Sequence, residues 1–333
     1  MARKSGVREV AKRADVSLGT VSNVLNRPEH VAPETLKRVH EAMESLGFVP
    51  NELARVLRTG AGTTLGMIVL NVANPFFADL AHASEEAGEA AGHTIVLGSS
   101  DQMSAREDRY IDVFEKQRVR GLLVTPLDGV TPRLRLLRER GIPLVLFDKD
   151  VESGFCSVAL NGHEGGRMAA KHLTESGRSH IAFVGGPLHQ VRDRWLGAQE
   201  VCASQRGVQL THFDTADQTI AEGRAVGEAL QRIPRADRPD AVFAANDLLA
   251  IGVLQSLVLS RDIRVPHDIA IVGYDDVDYA ESAIVPLTTV HQPVHDLAKE
   301  AVRLVLDEAD NPEHEHENIL LEPRLILRES SRA

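Results

Sequence analysis

The chain has 333 residues, 43% hydrophobic and 26% charged, which excludes a disordered polypeptide and predicts two or three cores rather than one. No apolar run approaches the roughly 18 residues that span a bilayer, and no hydrophobic leader follows the basic opening Met1-Ala2-Arg3-Lys4-Ser5, so a cytoplasmic protein without a membrane partner is expected. The net charge of −11 argues against nucleic acid, yet residues 1–60 hold ten Lys/Arg against seven Asp/Glu. A basic module on an acidic body predicts that only the first sixty residues meet a polyanion.

Three short helices are expected in the first fifty residues. Val7–Ala14 carries Val10, Ala11 and Ala14 at helical spacing, and Asp15-Val16 makes a tight turn. Ser17 is a good N-cap for a helix over Leu18–Asn26, with Val21, Val24 and Leu25 inward and Leu18, Gly19, Ser22 and Asn23 outward. Pro33 opens the third helix, with Val39, Met43 and Leu46 as its buried stripe. Ala32 stands where a capping hydroxyl is usual. Two helices joined by a three- or four-residue turn read either as a miniature core or as helix-turn-helix.

The residues themselves decide between these readings. Val10-Ala11-Lys12-Arg13-Ala14-Asp15-Val16-Ser17, Thr20-Val21-Ser22 and Val24-Leu25-Asn26 resemble the headpiece of the lac repressor family, as do Thr35 through Met43 and Leu46-Gly47-Phe48-Val49-Pro50-Asn51. The resemblance implies a transcriptional regulator that binds double-stranded operator DNA, with Ser17, Leu18, Gly19, Thr20, Ser22, Asn23 and Asn26 at the duplex. Asn23 suits a base edge and Leu18 a thymine methyl group, whereas Gly19 offers no side chain. Residues 51–61 read alone as a short amphipathic linker helix. In the family this segment is a hinge helix, which implies minor-groove contacts from Ala54, Arg55, Leu57 and Arg58, with Leu57 as the wedge. So short a helix is marginal in isolation and is expected to order only on DNA.

From residue 62 onward, apolar runs alternate with helical patterns: Leu65–Leu70, Thr94–Leu97, Gly121–Val124, Ile142–Phe147, Val158–Leu160, Ile181–Val184, Ala241–Ala244 and Ile269–Val272. Such runs predict buried parallel strands with helices on both faces, and their number requires two subdomains. The expected architecture is therefore an all-α headpiece (1–50), the hinge (51–61) and an α/β two-subdomain body (62–333). Ligands of open parallel sheets bind beyond the carboxyl ends of the strands. Asn74, Phe76 and Phe77, then Asp148 and Lys149, Asn246, Asp275 and Gln292 fall there, with Arg194 in the helix after Gly185-Gly186-Pro187. Two stacked phenyl rings with carboxylates, amides and cations fit a sugar.

Residues 62–333 also look like the periplasmic-binding-protein-like sensor of the same family. Asn74, Phe76, Phe77, Asp148, Arg194, Asn246, Asp275 and Gln292 match sugar contacts of its ribose-binding members, and Lys149 replaces an arginine. A pentose effector is the expectation. Gly162-His163-Glu164-Gly165-Gly166 lacks the ending of a phosphate loop and reads as a close helix–strand contact. Cys156 and Cys202 read as reduced core thiols, His314-Glu315-His316-Glu317 as solvated surface, and Ile319–Leu327 as one edge strand; no cofactor or metal is expected. The tail carries no leucine heptads, so a homodimer is expected. A periplasmic transporter component would share the body but has no use for residues 1–60. A glycosidase could use two of Asp148, Asp247 and Asp275, yet a sugar cleft employs the same carboxylates as acceptors.

Overall fold

A computed structural model describes residues 6–26, 30–48, 62–147, 154–260 and 262–332. The chain divides into two compact units, residues 1–62 and 63–333.

The first unit holds helices α1 (Val7–Ala14), α2 (Leu18–Asn26) and α3 (Pro33–Ser45). The turn after α1 depends on Asp15, which adopts a left-handed φ of 53° and donates its backbone N–H to Ala11. Ser17 caps α2, its Oγ accepting the Thr20 N–H at 3.0 Å; Ala32 gives α3 no side-chain cap. Val10, Ala11, Ala14, Val21, Val24, Val39 and Ala42 form the core. Leu25, Met43 and Leu46 only border it, because Ala42 is small enough to sit at the closest approach.

The second unit contains two six-stranded sheets. Sheet A runs β11-β5-β4-β3-β1-β2, with β1 Thr64–Val69, β2 Thr94–Ser99, β3 Leu122–Val124, β4 Leu144–Leu146, β5 Cys156–Leu160 and β11 Asn318–Leu321. Sheet B runs β12-β10-β9-β8-β6-β7, with β6 His180–Val184, β7 Gln209–Phe213, β8 Ala241–Ala244, β9 Ala270–Asp275, β10 Thr288–His291 and β12 Arg324–Ile326. All described pairings are parallel except β10 with β12. Strand periodicity sorts the core of sheet A into two layers. Leu65, Met67 and Val69 of β1 face α4 (Pro75–Ala90) and α12 (Val294–Asp310), and Ile68 faces α5 (Ser104–Gln117) and α6 (Pro132–Glu139). Gly66 is required inside β1, since a Cβ there would lie 2.5 Å from Leu122 and 2.9 Å from the Phe114 ring.

Sheet B is flanked by α7 (Gly162–Glu175), α8 (Leu188–Ser204), α9 (Ile220–Arg232) and α10 (Asp247–Ser260), with the short α11 (Asp278–Glu281) after β9. Three expectations change here. The glycines of α7 make a helix–helix contact as well as a helix–strand one: a Cβ at Gly166 would strike the Arg194 carbonyl of α8, and one at Gly165 the Tyr274 ring of β9. The tail is two strands in different sheets, because Pro323 lies where the chain crosses between them. Edge strand β7 was not anticipated, since Gln209-Leu210-Thr211-His212-Phe213 is only half-buried and lacks a continuous apolar run. No described helix is long and apolar enough to cross a membrane.

Candidate effector site and nucleic-acid interface

The two sheets point their carboxyl ends at a common cleft of about 660 Å³, lined by Phe76, Phe77, Thr125, Phe147, Gln190, Arg194, Tyr274 and Gln292 among others. A second recess shares Phe76, Phe77, Gln190 and Arg194 and adds Asn74, Gln102, Asp217, Gln218 and Asp275.

Asp275 lies at the end of β9, 6% exposed, with a backbone φ of 112°. A non-glycine residue in this region costs about 1–3 kcal/mol and persists only where its surroundings impose it. The surroundings here are Asp247 and Thr289. Asp247 is fully buried at the start of α10; its Oδ2 accepts the Val277 N–H at 3.0 Å and its Oδ1 accepts the Thr289 hydroxyl at 2.7 Å. Gly273 leaves room for that carboxyl, since a Cβ would stand 2.1 Å from Asp247 Oδ1. Asp276, with φ 59°, is held by His291 at 2.9 Å and Arg328 at 2.8 Å. The turn that aims Asp275 is thus braced from β10 and the C-terminal segment.

Around Asp275, Gln292 donates to Oδ1, and Arg194 approaches the same oxygen at 4.0 Å while its guanidinium covers the Tyr274 ring at 3.9 Å. Arg194 also donates to the Ala245 carbonyl. Burial pushes the Asp275 carboxyl up to about 7, against the opposing pull of Arg194 and Gln292. Burial, with nearby Asp275 adding to it, raises Asp247 well above the usual carboxylate range. Tyr274, buried beside this cluster, is pushed up to about 12 by desolvation. A buried carboxyl flanked by fixed donors is an acceptor station for ligand hydroxyl or N–H groups.

From sheet A, Asn74 caps α4, its Oδ1 accepting the Phe76 N–H at 3.1 Å, and Pro75 occupies the first helical position. Phe76 and Phe77 meet edge to face at 69° and 5.1 Å rather than stacked, because adjacent residues on a helix splay their side chains by about 100°. Asn246 is 1% exposed and committed inward: Oδ1 accepts the Leu249 N–H at 2.9 Å, and Nδ2 donates to the Gln218 carbonyl at 3.2 Å. Asp148 and Lys149 lie outside the described residues. One feature escaped sequence reasoning. Gln190 donates to Gln102 at 2.7 Å, Gln102 to Asp217 at 3.2 Å and Gln218 to Gln190 at 3.2 Å, so a chain of amides ties the loop after β2 to the sheet B side. Isolated glutamines, two in loops and Gln190 in the first turn of α8, carry no sequence signal for such a pairing.

In the first unit, Ser17, Leu18, Gly19 and Asn23 are exposed, Leu18 at 49%, while Thr20 and Ser22 are half-buried. Thr20 Oγ1 sits 2.9 Å from Ser17 Oγ. The opening of α2 therefore presents small and polar groups on a surface whose flank, α1, exposes Lys12 and Arg13. The side chain of Asn26 and the whole of Ala54, Arg55, Leu57 and Arg58 lie outside the described residues.

A second unanticipated surface is apolar. Leu259 (77% exposed), Tyr279 (58%) and Ile284 (67%) surround a groove floored by Ile220, Ile251, Leu254 and Val258. It explains why α10 is hydrophobic nearly all round: one side packs on sheet B and another faces this groove.

Comparison with known proteins agrees with this geometry. Residues 6–51 match the model for bacterial regulatory proteins of the lacI family, and residues 170–331 match a periplasmic binding protein-like domain. The HTH-type transcriptional repressor PurR of Photobacterium profundum is 33% identical over 328 residues, covering 97% of this chain and 98% of the relative. The lac repressor dimer bound to operator and the anti-inducer ONPF superposes with a TM-score of 0.84 at 25% identity, over 99% of this chain and 100% of that one. A LacI family regulator from Enterococcus faecium with bound ribose aligns with a TM-score of 0.73 at 27% identity, over 80% of this chain and 98% of that one. With its headpiece, its two-sheet body and its cleft, this chain belongs to the LacI family of bacterial regulatory proteins, as a DNA-binding transcriptional repressor controlled by a small-molecule effector and not an enzyme.

Proposed function

We propose that the effector is a sugar, held in the cleft between the two sheets with Asp275 as its central hydrogen-bond acceptor, and that its binding releases operator DNA. The observation that carries this reading is the Arg194–Asp275–Gln292 cluster. A strained, buried carboxyl between two donors suits vicinal hydroxyls, and the edge-on Phe76–Phe77 pair offers apolar cover for C–H groups. Asn74 joins them at the rim of the recess, and Asp148 and Lys149 belong to the proposed contact set, whereas the Asn246 amide, spent on Leu249 and Gln218, shapes the wall behind it. The ribose complex of the Enterococcus faecium regulator supports a sugar. The PurR relatives do not support narrowing the sugar to a pentose, and a sugar is proposed only as a class.

The ligand shifts the operator equilibrium only through its different affinity for the two states of the body. Ten- to hundredfold release requires roughly 1.4–3 kcal/mol of coupling. We infer that operator binding takes place in the cytoplasm and engages a homodimer joined through Leu259, Tyr279 and Ile284, where the exposed apolar groove needs a partner surface. The lac repressor neighbour is itself a dimer on operator. Residues 51–61 act as the hinge between headpiece (1–50) and body (62–333).

The test is calorimetry of the full chain against pentoses, hexoses, cellobiose and purine bases, paired with gel shifts. A sugar that binds and weakens the operator complex supports the proposal. Binding by a purine alone, or tightening of the complex by the sugar, overturns the ligand class or the direction of the switch respectively.

A further inference from the structure

Away from the cleft, Cys156, Glu308, His314 and His316 present a sulfur, a carboxylate oxygen and two ring nitrogens, all within 4.8 Å of one another. Cys156 opens β5, Glu308 lies in the last turn of α12, and the histidines follow in the loop that enters β11. Parallel pairing of β11 with β5, in the register Asn318↔Ser157, lays that loop over the cysteine. Cys156 Sγ is 3.1 Å from His314 Nε2 and 3.6 Å from His316 Nδ1.

The surrounding contacts orient these donors. His314 has only 4% of its side chain exposed, and its Nδ1 is 2.6 Å from Asp307 Oδ2. That pairing places the ring proton on Nδ1 and turns the Nε2 lone pair toward the sulfur, the carboxylate–histidine arrangement that supports ligating imidazoles. One oxygen of Glu308 accepts the Leu144 N–H at 3.0 Å, which fixes the side chain and leaves the other oxygen for a ligand. The Glu317 N–H points at Cys156 Sγ from 3.5 Å. His314 is therefore not the solvated surface expected from an acidic, Pro/Asn-bounded loop, while Glu315, His316 and Glu317 are exposed as expected.

We propose that these four side chains form a structural zinc site. Cys, His and carboxylate donors are the ligand types of Zn²⁺, with bond lengths of about 2.0–2.3 Å, and four protein donors leave no open position for chemistry. The ion would staple the end of α12 and the loop before β11 to the first residue of β5. That places it at the edge where the parallel strands of sheet A begin, the opposite edge from the cleft and the one where the chain enters at Thr64.

The experiment uses the tag-free full chain, stripped with chelator and titrated with Zn²⁺ or Co²⁺. One ion per chain is expected, with the Co²⁺ form showing a thiolate charge-transfer band and the intense visible bands of tetrahedral coordination, and with Zn²⁺ raising the thermal midpoint. Cys156→Ser should abolish the charge-transfer band. His316→Gln, at an exposed position that folding tolerates, should weaken binding at least tenfold, and Asp307→Asn should weaken it about tenfold through His314. Absence of stoichiometric Zn²⁺ binding by the wild-type chain overturns the proposal and leaves a thiol–imidazole hydrogen bond. So does a Co²⁺ spectrum without the sulfur band, or unchanged affinity in His316→Gln.

Discussion

Replacing Asp275 with Asn should stabilise the effector-free protein, and increasingly so as pH rises. The carboxyl ordinarily titrates at 3.8, and burial in the folded protein raises this to about 7. A raised folded-state value means that folding favours the protonated acid. The contribution of this group is therefore complete below pH 3.8 and is lost as pH climbs through about 7. At about 1.4 kcal/mol per tenfold change in proton affinity, the whole window amounts to about 4 kcal/mol. Between pH 5 and pH 8 the gap between variant and wild type should widen by about 2–3 kcal/mol. Asn keeps the acceptor that Gln292 uses and carries no charge to desolvate. Denaturant unfolding followed by fluorescence reads the effect directly, because the chain has a single tryptophan, Trp195, packed on Phe183 at 5.4 Å within the same subdomain. Saturating effector should restore stability to the wild type at pH 8 and do nothing for the variant. Unfolding free energies that run parallel from pH 5 to pH 8 would refute the reasoning, since no buried acid would then be carrying the shift.

Three further outcomes are expected. Asn23→Ala should cost about 1–3 kcal/mol per half-site on cognate DNA and relax sequence preference, whereas Arg58→Ala should weaken cognate and scrambled DNA alike and lower the salt slope; equal loss on both sequences in Asn23→Ala would misplace the reading face. Leu57→Ala should keep effector binding and dimerisation but lose operator bending in a permuted-fragment assay, and normal bending would remove the wedge. Ile284→Asp should shift the protein toward monomer in sedimentation velocity and weaken operator binding with it, by placing a charge in the apolar groove; an unchanged sedimentation coefficient would locate the dimer contact elsewhere.

Local order in the sequence determined most of the fold. Helical spacing of Val10, Ala11 and Ala14, the cap at Ser17 and the apolar runs of sheets A and B each act within a few residues, where backbone geometry and side-chain period are directly coupled. The strand-end rule likewise pointed to Asn74, Asp275 and Gln292 without knowledge of which strands were neighbours. Tertiary structure alone decided the rest. It set the left-handed backbone of Asp275, which residues 247 and 289 impose from other elements. It divided the tail between two sheets at Pro323 and committed the Asn246 amide to a helix cap and a carbonyl. It also brought Cys156 beside His314 and His316, more than 150 residues away, through the register of two parallel strands. Such contacts depend on which surfaces meet once the chain has collapsed, and no periodicity along the chain encodes that meeting.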